Sequence, residues 1–292
     1  MGCQRAGSLL GVRGAMRGEP ARPLNPKTLH TVSRASIPRR SVLLAAAGLT
    51  ALRPGSAQGV PTVAAAADLQ FALEEVAGRF EQETGQKIRL VFGSSGTFTA
   101  QLLQGAPFHL FMSADEAFVF RLADAGRTRD RGRLYAFGRI GIMVPHGSPL
   151  KADPGLEDLA AALKDGRLKR FAIANPEHAP YGARAREALM ALGLWDSIRP
   201  KLVYGENIAQ AAQFATSGSA QGGIIALSLA RAPGVASLGS FALLPERLHR
   251  PLAQRMVLLK DAPPAIVAFY NHLATPPAQA VLARYGFTSP KT

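Results

Sequence analysis

The chain of 292 residues has a single cysteine, Cys3, close to its start. Everything after it is free of disulfides, thiol nucleophiles and cysteine-held metals or clusters, so stability there rests on packing. Long apolar runs are missing as well. The most apolar stretch, SVLLAAAGLTAL at 41–52, is shorter than the roughly 20 residues that span a bilayer as a helix. Nucleotide signatures are also absent. GSSGTFT at 93–99 carries glycines and hydroxyls but no lysine, which a P-loop requires, and no G-x-G-x-x-G follows the first strand-like run. His30, His109, His146, His178, His249 and His272 form no i, i+4 pair and show no metal-ligand spacing with acids. A Ser95–His178–Asp68 triad can be drawn, but no G-x-S-x-G elbow presents the serine.

Positive charge is plentiful, with 34 Lys and Arg against 20 Asp and Glu. Nine of those bases but only one acid, Glu19, fall in residues 1–57, which leaves 25 against 19 for the rest, or +6 instead of +14. A mildly basic body without dense Lys/Arg blocks argues against a nucleic-acid partner. The charged leader reads instead as an export signal. Arg39-Arg40 precedes the apolar run at 41–52, and Gly55-Ser56-Ala57 supplies the small residues at which a signal peptidase cuts. The paired arginines resemble a twin-arginine signal, with an ordinary secretory signal as the alternative. Either one predicts a periplasmic protein, mature from about residue 58.

The remaining chain alternates short apolar runs with amphipathic runs of helix length, the pattern of α/β layering. Strands are predicted at 62–66, 88–92, 109–113, 140–145, 171–174, 201–204, 223–226 and 252–259. Helices are predicted from about 69, over 97–103, from near Glu116, over 183–192, from Ile208, and over 264–273 and 277–284. Two α/β blocks fit this sequence better than one.

The helix starts carry the chemistry. Each strand-to-helix corner is small, polar or glycine-bearing: Ala67-Asp68, Gly93-Ser94-Ser95-Gly96-Thr97, Pro180-Tyr181-Gly182 and Gly205-Glu206-Asn207-Ile208. A helix start has unpaired N–H groups and a positive dipole end. Ligands of open parallel sheets sit beyond the strand ends where such helices begin. Two corners from each block facing one another would hold a small anion without a counter-cation. Taken alone, Gly93-Ser94-Ser95-Gly96 equally suits an ordinary capped helix. Asp115 is expected to cap the helix near Glu116, and His178 to be a polar turn residue.

Taken together, VAAAADL at 63–69, FGSSGT at 92–97, GAPFHLFMSAD at 105–115, NPEHAPYG at 175–182 and RYGF at 284–287 resemble the periplasmic molybdate-binding proteins of ABC transporters, in the order and spacing of that family. The resemblance covers essentially the whole chain after the leader. It implies a type II periplasmic binding fold: two α/β lobes, joined by two crossover segments, around a ligand cleft. Residues 58–139 plus 240–292 would form lobe 1 and 140–239 lobe 2, with hinges near Arg139 and Gly239. It also implies a receptor without enzymatic activity, cofactor or bare metal. Such a receptor works as a monomer and delivers molybdate or tungstate to an inner-membrane permease and its ATPase.

By the same resemblance the oxyanion would be held by Ser95 through its hydroxyl and N–H, by the backbone N–H of Tyr181 and of Ile208, and at Ala67 and Asp68. Family members offer small or hydroxyl residues, and sometimes Asn, at those last two positions. This chain departs from the pattern in having Ala226 where some members place a tyrosine hydroxyl, and Asp68 where a donor would serve. A carboxylate about 4 Å from a dianion costs several kcal/mol at an effective dielectric near 20. Asp68 is therefore expected to turn back and cap the helix at Gln70 or Phe71, with a protonated carboxyl as the alternative. Arg184 is expected to be a solvated surface residue. Two rivals stand beside the molybdate reading: a receptor of the same fold for another oxyanion, and an exported hydrolase with Ser95 as nucleophile, which would need a base within reach.

Overall fold

Short side chains with apolar neighbours on both faces mark the strand that begins the fold, β1 (Thr62–Ala66), whose last four residues are buried. In this computed structural model residues 59–290 are described, so the expected export signal lies outside the described residues. β1 leads through a 3-10 turn at Ala67–Leu69 into α1 (Gln70–Thr84). There follow β2 (Arg89–Gly93), α2 (Ser95–Leu103), β3 (Leu110–Ser113), α3 (Glu116–Asp124) and β4 (Arg133–Gly138). The chain then builds β5 (Ile140–Pro145), α4 (Glu157–Lys164), β6 (Phe171–Ala174), α5 (Pro180–Ala191), α6 (Trp195–Ile198) and β7 (Leu202–Gly205). α7 (Ile208–Thr216), β8 (Gly223–Ala226), α8 (Leu227–Ala230), α9 (Pro233–Ala236) and β9 (Gly239–Leu243) complete that block. The last elements are β10 (Leu252–Leu258), α10 (Pro264–His272) and α11 (Pro276–Arg284).

Two five-stranded sheets result, ordered β2-β1-β3-β10-β4 and β7-β6-β8-β5-β9. In the first, β1 runs parallel to β2 and β3, and β10 enters antiparallel between β3 and β4. In the second, β6 runs parallel to β7 and β8, and β5 lies antiparallel between β8 and β9. Each sheet thus has the same plan. The two-residue side-chain period of β1 divides the packing of the first sheet: Val63 and Ala65 join one buried cluster with α1, α10 and α11, while Ala64 joins Phe98, Leu102 and Val119 on the other face. A third cluster fills the second block and draws in Ala66, Ala67 and Ala114 from the first.

The chain passes from the first sheet to the second at Arg139, between β4 and β5. The return crossing does not fall near Gly239. β9 pairs with β5 from Gly141↔Leu243 to Pro145↔Gly239, so 240–243 belong to the second sheet and the chain crosses back between Leu243 and Leu252. Strand pairing decides this, because β9 is mostly half-buried and gives no strong apolar run to read. β4, with a charged and exposed first residue, was likewise not foreseen. Two helix starts lie clearly N-terminal of their expected places. α2 begins at Ser95 under a Ser94 cap, and α5 at Pro180, where the missing proline N–H is harmless.

Candidate functional site

The four helix mouths converge. Ala67 and Asp68 from the turn after β1, Ser95 from α2, Tyr181 from α5 and Ile208 from α7 line one small cavity. The first three belong to the first sheet's block and the other two to the second, so the cavity lies between the blocks. All five expected site residues are brought together, and among the described residues no Lys, Arg or His lines the cavity.

Capping leaves a particular amide free at each mouth. At α2 the Ser94 hydroxyl accepts from Thr97 N–H (3.2 Å), and Gly96 N–H donates to His178 O (2.9 Å). At α7 the Asn207 side chain accepts from the N–H groups of Ala209 (3.0 Å) and Gln210 (3.1 Å). Second and third helical amides are thereby used, while the first, on Ser95 and on Ile208, has no intrahelical acceptor. At α5 the first residue is Pro180, so Tyr181 carries the first N–H of that helix. Three helix starts therefore present N–H groups and positive dipole ends at one cavity. Ser95 is wholly buried, and its hydroxyl oxygen accepts from Ala114 N–H (3.0 Å), which leaves the hydroxyl proton free to donate.

Asp68 does not cap α1. No side-chain bond closes that helix start. Its carboxyl is buried, and Oδ2 accepts from the Tyr181 hydroxyl (2.8 Å) and from Gln254 Nε2–H (2.6 Å). The Gln254 amide is itself oriented by the Tyr135 hydroxyl, which donates to Oε1 (2.7 Å), and its Nε2 also reaches the Tyr181 hydroxyl oxygen (3.0 Å). Two strong donors thus replaced the helix cap as partners of the carboxylate. Oδ1 is buried and unpartnered. Burial without a cation lifts the Asp68 pKa to about 6, although the Gln254 and Tyr181 hydrogen bonds pull it down. Burial, together with the charge of Asp68, holds both tyrosine hydroxyls well above their ordinary range.

Arg184 is not solvated either. It is 4% exposed and pairs with Asp115 (2.5 Å) and Glu187 (3.0 Å). Asp115 caps α3 as expected, accepting from Ala117 N–H (3.0 Å), and its second oxygen receives Arg184 from the opposite block. His178 sits in the expected turn but also reaches across, its Nδ1 2.9 Å from the Ser94 hydroxyl. The drawn triad is not formed: His178 contacts Ser94 and not Ser95, and Asp68 is bound to Tyr181 and Gln254. Ala226 is buried at the end of β8 and is not among the lining residues. Among the described residues no group of three or more His, Cys, Asp or Glu is placed to hold a metal ion.

Sequence reading missed Gln254, Tyr135 and Ser228, whose hydroxyl donates to Asp68 O (2.7 Å). Gln254 left one signal. In the alternating strand β10 it takes the inward position between Leu252 and Met256, and all three are fully buried. A polar residue on a core-facing strand position needs a hydrogen-bonding partner.

The sequence profile described as bacterial extracellular solute-binding protein matches residues 61–288. The molybdate-binding protein ModA of Azotobacter vinelandii is 37% identical over 253 residues, covering 85% of this chain and 96% of that protein. ModA of Rhodobacter capsulatus is 35% identical over 239 residues, covering 80% and 90%. Among solved structures, the Azotobacter vinelandii periplasmic molybdate-binding protein superposes with a TM-score of 0.71 at 28% identity, covering 79% of this chain and all of that one. The paired sheets and their flanking helices are the type II periplasmic binding fold.

Proposed function

We propose, starting from the fact that this chain belongs to the family of bacterial extracellular solute-binding proteins, that it captures molybdate or tungstate in the periplasm and delivers it to an inner-membrane ABC permease driven by its ATPase. The observation that carries this reading is a small cavity lined by free helix-start amides and the Ser95 hydroxyl, with no cation among its lining residues. Such a ring sums several charge-assisted hydrogen bonds to a tetrahedral dianion. The names of the Azotobacter and Rhodobacter relatives support the same ligand.

The site residues Ala67, Asp68 and Ser95 stand on one lobe, and Tyr181 and Ile208 on the other. A ligand that touches both lobes stabilises the closed arrangement, and the crossings at Arg139 and between Leu243 and Leu252 act as hinges. Acting as a monomer and without cofactor or turnover suits this role. Ser95 as a hydrolytic nucleophile has no support, because its oxygen accepts a backbone N–H and His178, the base of the drawn triad, contacts Ser94.

Isothermal titration of the purified protein with molybdate, tungstate, sulfate and phosphate tests this. One-to-one binding of the first two is expected, and Ser95→Ala should weaken it by about 10–100-fold, as for loss of one hydrogen bond to a charged group. Preference for phosphate or sulfate would overturn the ligand assignment.

A further inference from the structure

Asp68 is one of the residues that line the cavity which the preceding reading assigns to a dianion, and its carboxyl is buried beside it. Its partners decide what that carboxyl does. Oδ2 receives two donors, the Tyr181 hydroxyl and the Gln254 amide, and the Tyr135 hydroxyl locks that amide so that its nitrogen faces Asp68. Oδ1 receives none and is buried. A proton arriving at this carboxyl therefore settles on Oδ1, the oxygen with no donor already pointing at it.

We propose that oxyanion binding here is coupled to the uptake of one proton from solvent onto Oδ1 of Asp68, which converts the residue from a repelling carboxylate into a neutral hydroxyl donor to the ligand. The proposal rests on the oxyanion reading above. Only an O–H bond forms, and the net change is the loss of the Asp68 charge as the anion enters. An ionised Oδ1 beside a dianion has no cation to offset it, since among the described residues none lines the cavity. A protonated Oδ1 satisfies its own unpaired position and adds one donor to the ring formed by Ser95, Tyr181 and Ile208.

The surroundings are prepared for such a change. The titratable groups that touch the carboxyl and its amide are Tyr181 from α5 and Tyr135 from β4, both held neutral by burial. Ser228 from α8 bonds the Asp68 backbone oxygen, and Gln254 comes from β10. Among the described residues, no charged side chain other than Asp68 itself hydrogen-bonds to any of these four. Arg184 and Asp115 face one another across the same cleft and balance their own charge. In the free protein burial already holds Asp68 at about 6, so the proton is within reach near neutral pH.

The test is calorimetric titration of the purified protein with sodium molybdate between about pH 5.5 and about pH 8.5, in two buffers of different protonation heat. Uptake of close to one proton per molybdate is expected at the alkaline end. The apparent affinity should fall up to about tenfold per pH unit above about pH 6 and level off below it. Asp68→Asn, which carries a permanent donor, should bind without proton uptake and without that slope, and Asp68→Ser should do the same if the first variant folds poorly. Molybdate binding by the unaltered protein with no proton taken up at the alkaline end would overturn the coupling and leave the receptor reading intact. Proton uptake persisting in a folded Asp68→Asn or Asp68→Ser protein would overturn the assignment to Asp68. Absence of binding to molybdate, tungstate, sulfate and phosphate at every pH would instead overturn the oxyanion reading itself, and the coupling with it.

Discussion

Ser95 and Asp68 are both buried polar residues at neighbouring helix mouths, and their partners give them opposite demands. Ser95 receives a backbone N–H and keeps a proton to offer. Asp68 receives two donors on one oxygen and leaves the other bare. The bare oxygen has a consequence for stability. A carboxyl whose native pKa is raised from 3.8 to about 6 is most favourable in the fold when protonated, so its contribution is fully present below 3.8 and is lost as pH rises through 6. The loss amounts to about 3 kcal/mol at neutral pH. Asp68→Asn should therefore be more stable than the unaltered protein to urea by up to about 3 kcal/mol at pH 8, with the advantage vanishing near pH 4. An unchanged difference across that range would show that the carboxyl is not held as the structure shows it.

The helix mouths act as elements, through the pattern of which amides are already bonded. α2 meets the opposite lobe through Gly96, whose N–H donates to His178 O. A Cβ built on Gly96 would lie 2.5 Å from that oxygen, and its nearest neighbours all belong to His178. Gly96→Ala should consequently leave each lobe folded yet hold the lobes apart. Molybdate affinity should fall by about 10–100-fold, matching an overpacking cost of 1–3 kcal/mol, with little change in ligand-free melting. A fall in ligand-free melting temperature comparable to that of a core substitution would place the clash inside a lobe instead. The GSSGT mouth was legible in the sequence because caps and tight turns are local. Gln254 and Ser228 were not, since they reach Asp68 from 186 and 160 residues away.

At the scale of the whole molecule, several direct bonds join the two lobes across the cleft. Arg184 with Asp115, His178 with Ser94, and Tyr181 with Asp68 all join one lobe to the other. A ligand bound only between the lobes adds to these and stabilises the folded, closed form by mass action. Molybdate at about 100 times its dissociation constant should contribute about 2.7 kcal/mol. For a protein of this size that raises the melting temperature by about 5–10 °C. Sulfate at the same concentration should give little shift. Equal shifts with both ions would contradict selection of molybdate over sulfate.

The sequence by itself determined the α/β class, most strand and helix positions, the four polar corners and the residues on them, because periodicity, capping and turn chemistry act over a few residues. It also carried the family resemblance across the whole chain after the leader. Tertiary structure alone decided that β9 stays with the second sheet, that Arg184 is buried against Asp115, and that Asp68 faces Tyr181 and Gln254 instead of capping its helix. These outcomes depend on which distant groups share a space. A carboxylate near its own helix start has the N-terminal amides as a local option, and two strong donors arriving from other elements outcompeted them.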